Sequence, residues 1–187
     1  MTAKRCSWCE RDALYRAYHD EEWGRPIHDD RRLFELLVLE SFQAGLSWYT
    51  ILSKREGFRA AFDGFDYRLI AAYDDAKVEA LMQDTRIVRN RRKILATIQN
   101  AALFMEIQQE FGSFSAFIWA FVGGSPCVNH PRKLEDVPAS TPTSDAVATE
   151  LKRRGFKFIG STVAYAFMQA VGMVNDHVED CAFKYPD

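Results

Sequence analysis

Two residues near the start of the chain and two near its end are of the types that bind soft metal ions: Cys6 and His19, then His177 and Cys181. The last pair is spaced His-x-x-x-Cys, one helical turn, so both side chains can face one ion. Two thiolates and two imidazoles make a tetrahedral set that suits zinc. Four protein ligands leave no open position for water, so such an ion is structural rather than catalytic. Cys9 complicates the set, because Cys6-Ser7-Trp8-Cys9 is itself a Cys-x-x-Cys that offers two ligands or a redox pair. No strand–helix context of the thioredoxin kind surrounds it, which weighs against redox chemistry. On spacing alone, Cys9 and His19 compete for the fourth position.

Glu40 is the most informative carboxylate. At helical spacing it shares a face with Leu33, Leu36 and Leu37. A carboxylate among leucines is expensive to bury unless something pairs with it. An arginine would be the ordinary partner. The aromatics suggest another, since Trp8, Tyr15, Tyr18, Trp23, Phe42, Trp48 and Tyr49 crowd the same part of the sequence. Singly these are core residues; together with an isolated acid they resemble the lining of a pocket for a flat, cationic ligand.

The net charge of -2 argues against a nucleic-acid partner until its distribution is read. Residues 86–93 hold Arg86, Arg89, Arg91, Arg92 and Lys93, and residues 152–157 hold Lys152, Arg153, Arg154 and Lys157, with no acid in either window. The other 15 of the 24 basic residues stand against all 26 acids, a balance of -11. Segregated charge of this kind can present one basic face to phosphates; the plainer reading is two solvated helix ends. The first window follows the short turn Asp84-Thr85-Arg86-Ile87-Val88, which reads as the turn of a helix–hairpin–helix. The turn amides and the start of the second helix can hold a phosphate.

These residues need elements to position them, and the pattern predicts an all-α chain. A strongly apolar helix capped by Asp29 or Asp30 runs to about Gln43, and Gly45 breaks it. A second helix starts near Ser47 and runs through Arg55, and shorter ones cover about 66–73 and 75–83. Ile94, Leu95, Ile98, Ala101, Ala102 and Met105 mark a long amphipathic helix from near Arg89. A short apolar helix at 115–121 contains Trp119, and residues 122–144, with Gly123, Gly124 and four prolines, form an irregular connection. A helix capped near Ser144 ends at Gly155, and the last covers 161–172. The 187 residues, 48% of them apolar, make one domain with a sizeable core. The absence of a long apolar run or a secretory leader predicts a soluble, cytoplasmic protein with no membrane partner.

Several stretches together resemble the 3-methyladenine DNA glycosylase I family of the helix–hairpin–helix glycosylase superfamily. They are Cys6-Ser7-Trp8, Tyr18-His19-Asp20-Glu21-Glu22-Trp23-Gly24, Gln43-Ala44-Gly45-Leu46-Ser47-Trp48, Arg153-Arg154-Gly155-Phe156-Lys157-Phe158, Tyr165-Ala166-Phe167-Met168-Gln169-Ala170 and Asn175-Asp176-His177, and the match reaches Cys181. The resemblance implies one structural zinc held by Cys6, His19, His177 and Cys181, joining the terminal segments 6–19 and 177–181. It implies that Glu40 bonds the excised base, that Tyr18 and Trp48 stack on it, and that Trp8 and Trp23 are further aromatic walls. The implied partner is double-stranded DNA containing 3-methyladenine, bound by a monomer that hydrolyses the N-glycosidic bond and leaves an abasic site.

Glu40 is then the catalytic candidate in a restricted sense. Methylation at N3 makes the adenine cationic, it leaves neutral, and the acid need only recognise it. Leu46, between two helices, is the candidate wedge into the stack, and Arg89, Arg91 and Lys93 are the candidate phosphate contacts. Two positions depart from the family pattern: Arg86 stands where the hairpin turn usually has Gly, and Phe42 where a polar residue is more usual.

Overall fold

A computed structural model describes residues 3–185, whose regular structure is helical apart from one pair of two-residue strands. The first helix, α1 (Ala13–Glu21), is not among the predicted ones, being only nine residues long and low in mean apolarity. Its N-terminus is fixed by Asp12, whose side chain accepts from the Tyr15 amide. The next, α2 (Asp30–Gln43), is capped by Asp29 and buries every residue from Leu33 to Phe42. Its first residue, Asp30, reaches outward and accepts from the amides of Phe114 and Ser115 at 2.9 and 2.8 Å.

The predicted second helix is two. Ser47 caps α3 (Trp48–Ser53), and after a break at Lys54 the chain turns into α4 (Arg55–Ala61). Next come α5 (Tyr67–Ile70), shorter than the predicted 66–73, and α6 (Asp75–Gln83), as predicted. The long helix α7 (Arg91–Phe111) starts after Arg89, because Asn90 is its cap, and extends past Met105 to Gly112. It is followed by α8 (Phe114–Trp119). The helix expected from Ser144, α9 (Pro142–Arg153), begins earlier: Thr141 is the cap, Pro142 opens the first turn, and Ser144 closes the capping box. The last helix is α10 (Ser161–Ala170).

The irregular connection hides one feature that periodicity could not find. Cys127–Val128 (β1) pairs in parallel with Val174–Asn175 (β2), which ties it to the segment carrying His177. At two residues per strand, no alternation is available to read.

The main core surrounds α2, which packs against α3, α7, α8 and α10. A smaller cluster of Cys6, Val178 and Cys181, with Trp8, Trp23 and Phe183 against it, joins the two ends of the described chain. Close backbone approach holds the loop after α1 in place. A Cβ on Gly172 would lie 2.2 Å from the Arg25 carbonyl carbon, so only glycine fits where that loop crosses the end of α10. Among the described residues, no helix is long and apolar enough to cross a membrane.

Candidate base pocket and metal cluster

Tyr18 and His19 are adjacent on α1, and the helix turns them into two different sites. Tyr18 faces a cavity of about 410 Å³. Its aromatic walls are Trp8, Tyr15, Tyr18, Trp23 and Trp48, with Glu40 and Gln43 from the end of α2. One face of α10 supplies Thr162, Tyr165, Ala166 and Gln169, and the segment around Leu134 and Pro138 closes the far side. The rings pack on one another: Trp8 lies edge-on to Tyr15 and Trp23, 5.0 Å from each, and Tyr18 lies tilted 5.3 Å from Trp48.

Two polar atoms in this cavity are buried with no partner among the described residues, Glu40 Oε2 and Trp48 Nε1. One is an acceptor, or a donor when protonated; the other can only donate. Buried polar groups are nearly always paired, so two orphans in one aromatic cavity mark a place for a ligand. Glu40 is 3% exposed, and no arginine comes to neutralise it. Burial alone pushes its carboxyl up to about 8, which favours the protonated form near pH 7.

The floor of the cavity is fixed from below. Tyr165 and Gln169 donate to one oxygen of buried Asp176 at 2.6 and 2.8 Å, and Asn129 donates to the other at 2.8 Å. Sequence alone did not single out Gln43, Tyr165, Gln169 or Thr162 as site residues. The available signal was the spacing of residues 162, 165, 166 and 169 on one helical face opposite Glu40.

On the other side of α1, His19, Cys6, His177 and Cys181 are all buried, and their ligand atoms lie within 4.8 Å of one another. Cys181 Sγ is 3.4 Å from His177 Nδ1 and 3.6 Å from His19 Nε2, and Cys6 Sγ is 3.7 Å from His177 Nδ1. A tetrahedral ion with bonds of about 2.3 Å to sulfur and 2.0 Å to nitrogen requires separations of roughly 3.3–3.8 Å; these three sulfur–nitrogen separations meet that, and with every ligand atom within 4.8 Å of the others the set fits a metal after a small contraction. The second nitrogen of each histidine is occupied: His19 Nδ1 donates to Asp20 at 2.7 Å and His177 Nε2 to the Trp23 carbonyl at 3.1 Å. Arg5 in turn holds Asp20 at 2.8 Å. Such outer partners orient metal-bound imidazoles. Cys9 stays outside the cluster, with its sulfur 3.1 Å from the Cys6 carbonyl, which separates it from His19 on geometry. Hydrogen bonds from Cys6, His177 and His19 favour the Cys181 thiolate, and that neighbour together with burial pushes the Cys6 thiol up. A thiol beside a thiolate is the protonation state the pair takes without an ion, and both sulfurs become thiolates only when a cation lies between them.

The basic windows are less free than their composition suggests. Arg86 pairs with Asp84 at 2.7 Å, Arg91 pairs with Glu79, and Arg153 and Arg154 pair with Glu150 and Glu110. Arg89 is exposed, as are Arg92 and Leu46, which sits at the tip of the turn between α2 and α3. Lys93 corrects the expectation of a phosphate contact. It is buried, and its ammonium donates at 2.7 Å to the carbonyls of Phe42 and Ala44 at the end of α2. The two departures are also absorbed. Arg86 has no positive φ, and the turn gains its room from Gly57, where a Cβ would lie 2.5 Å from the Arg86 carbonyl oxygen. Phe42 points into the core, 4.9 Å from Phe58, rather than towards the cavity.

The methyladenine glycosylase family model matches residues 8–185. DNA-3-methyladenine glycosylase 1 of Escherichia coli strain K12 is 49% identical over 178 residues, covering 95% of each chain. A crystal structure of a 3-methyladenine DNA glycosylase I superposes with a TM-score of 0.93 at 51% identity, covering 96% of this chain and 98% of that one. A structure concerned with how 3-methyladenine DNA glycosylase I of Staphylococcus aureus recognises 3-methyladenine gives a TM-score of 0.94 at 36% identity, over 98% of this chain and 97% of that one. The chain belongs to the methyladenine glycosylase family.

Proposed function

We propose that this protein is a DNA repair glycosylase that hydrolyses the N-glycosidic bond of 3-methyladenine in alkylated double-stranded DNA. It releases the free base and leaves an abasic site. The observation that carries the reading is the pair of orphaned polar atoms, Glu40 Oε2 and Trp48 Nε1, in an aromatic cavity. A flat base offers Glu40 Oε2 a hydrogen-bonding edge, and a nucleotide held in the cavity brings an acceptor for Trp48 Nε1.

A base inside a duplex cannot reach this cavity without leaving the stack, and a damaged, weakly paired base leaves most cheaply. Leu46, exposed at its turn, is suited to fill the gap left behind. The connection between α6 and α7 is read as the helix–hairpin–helix that docks on the backbone, with Arg89 free to meet phosphate. Methylation at N3 has already weakened the bond to the sugar, because the base departs neutral, so no general acid is required. Tyr18 and Trp48 stack on the base, Trp8 and Trp23 complete the wall, and ring quadrupoles favour a cation by about 1–2 kcal/mol per desolvated contact. Glu40 recognises the edge of the base and gains its charge as a cation approaches.

Zinc is the ion we assign to Cys6, His19, His177 and Cys181. A closed set of four leaves it no role at the sugar; it clips the terminal segments together behind the aromatic wall. This also argues against a zinc-dependent hydrolase.

Release of free 3-methyladenine from methylated duplex DNA, followed by chromatography, tests the reading, with strand breakage scored before and after alkali. Base release with breakage only after alkali is the expected result. No released base, or scission without alkali, would refute it.

A further inference from the structure

We propose that Lys93 is a positioning residue that sets the height of the Gln43–Leu46 turn, tying DNA docking on α7 to extrusion of the base. The inference rests on the glycosylase reading above. Lys93 lies in the first turn of α7 and is 6% exposed. Neither of its partners is a carboxylate; it holds two main-chain carbonyls at 2.7 Å, those of Phe42 and Ala44. A buried ammonium is costly, so such a placement needs compensation. The end of α2 supplies it, because the last carbonyls of a helix lack amide donors and lie at the negative end of its dipole.

What Lys93 grips lies next to the site. Gln43, between the two carbonyls, lines the cavity, and Leu46 follows two residues after Ala44. Ala44, Gly45, Leu46 and Ser47 are all exposed. The turn closes on itself through the Leu46 amide and the Gln43 carbonyl at 2.6 Å, with Gly45 at a φ of +84°. The ammonium is thus the buried anchor at its root. On the same helix, Arg91 and Arg92 face outward and the Lys93 amide donates to the cap Asn90 at 3.2 Å. A force or displacement at the docking connection is passed directly to the tip that opens the stack.

The test is single-turnover release of 3-methyladenine by the wild type, Lys93→Met and Lys93→Gln on two duplexes. One carries the lesion in a matched pair; the other carries it opposite an abasic analogue, where it is already unpaired. Lys93→Met keeps the apolar stem but has no donor, and Lys93→Gln keeps one. Misplacement of a working group by about an ångström costs up to roughly 100-fold, so Lys93→Met should lose roughly 10- to 100-fold on the matched duplex. It should lose much less on the unpaired lesion and bind free 3-methyladenine as the wild type does, and Lys93→Gln should recover part of the matched-duplex rate. Equal losses on both duplexes, or no loss on either, would overturn the proposal. If Lys93→Met does not fold, Lys93→Gln carries the same comparison. Failure of the wild type on both duplexes would instead overturn the glycosylase reading.

Discussion

The two faces of α1 differ in how completely their polar atoms are satisfied. On the His19 face, each ring nitrogen and each sulfur has a neighbour: the other ligands inside the cluster, Asp20 and the Trp23 carbonyl outside it. On the Tyr18 face, Glu40 Oε2 and Trp48 Nε1 have none. A saturated set of donors fixes geometry and has nothing left for a substrate. An unsaturated set inside an apolar wall costs free energy until a ligand completes it. The contrast is what supports the proposal of structure for one face and recognition for the other. Trp8 links them, 5.3 Å from His19 and 6.4 Å from Tyr18. Asp176 does so again from below, bonded to pocket residues and adjacent in sequence to His177.

The largest effect should come from the saturated face. Binding of a structural metal contributes on the order of 10 kcal/mol, comparable with the whole net stability of a domain. His177→Ala or Cys181→Ser, and likewise a chelator, should therefore abolish the cooperative thermal transition or move it far down. Metal analysis should find one zinc per chain in the wild type. A variant that keeps its melting temperature but loses excision would break the division between the faces, since the cluster would then be serving chemistry.

The next effect belongs to Glu40. Glu40→Gln keeps the size and an acceptor oxygen but has no acid proton to share with the base and cannot become charged, so titration should show weaker binding of free 3-methyladenine with excision still measurable. Glu40→Ala should be worse in both. Normal binding with excision abolished would mean that Glu40 handles a proton or water.

Stability gives an independent check. Burial raises the carboxyl from its ordinary value near 4.5 to about 8, so between those values the folded chain holds a proton that the unfolded chain has released. Stability must then fall as pH rises through that window. Glu40→Gln removes the slope. Its melting temperature relative to wild type should climb from near pH 4.5 to about 8 and level off above. A constant difference across the range would mean that Glu40 is not desolvated.

The elements with caps and strong apolar stripes were legible in the sequence: a cap at Asp29 or Asp30, a helix start near Ser47, the span of α6 and the body of α7 follow from local chemistry. The leucine face of Glu40 and the soft ligands at the two ends were legible too, because each is unusual in residue type. What escaped depended on contacts distant in sequence. Helix α1 is only nine residues long, and which of its sides serves the cavity and which the cluster is set by what packs against them. Lys93 looks like its basic neighbours until α2 is packed beside it. The side of the cavity formed by Tyr165 and Gln169 lies over 120 residues from Glu40, and nothing local announces that α10 faces α2.

The smallest predicted effect extends the same contrast to the surface charges. Arg86 and Arg91 have carboxylate partners in Asp84 and Glu79, whereas Arg89 and Arg92 have none among the described residues. Exposed ion pairs are worth only about 0–1 kcal/mol, so pairing does not by itself keep an arginine from a phosphate. It does mean that approach to DNA brings the acid along, and the gain from releasing a counterion is reduced. Replacing a cation that contacts phosphate lowers the slope of log affinity against log salt by about one. Arg89→Ala or Arg92→Ala should show that change at one or both positions, and Arg86→Ala and Arg91→Ala clearly less. The measurement is binding to an abasic duplex across a salt series. Equal slopes for all four variants would mean that partner carboxylates do not screen these cations, and satisfaction of polar groups would then sort the buried faces of the molecule but not its exposed one.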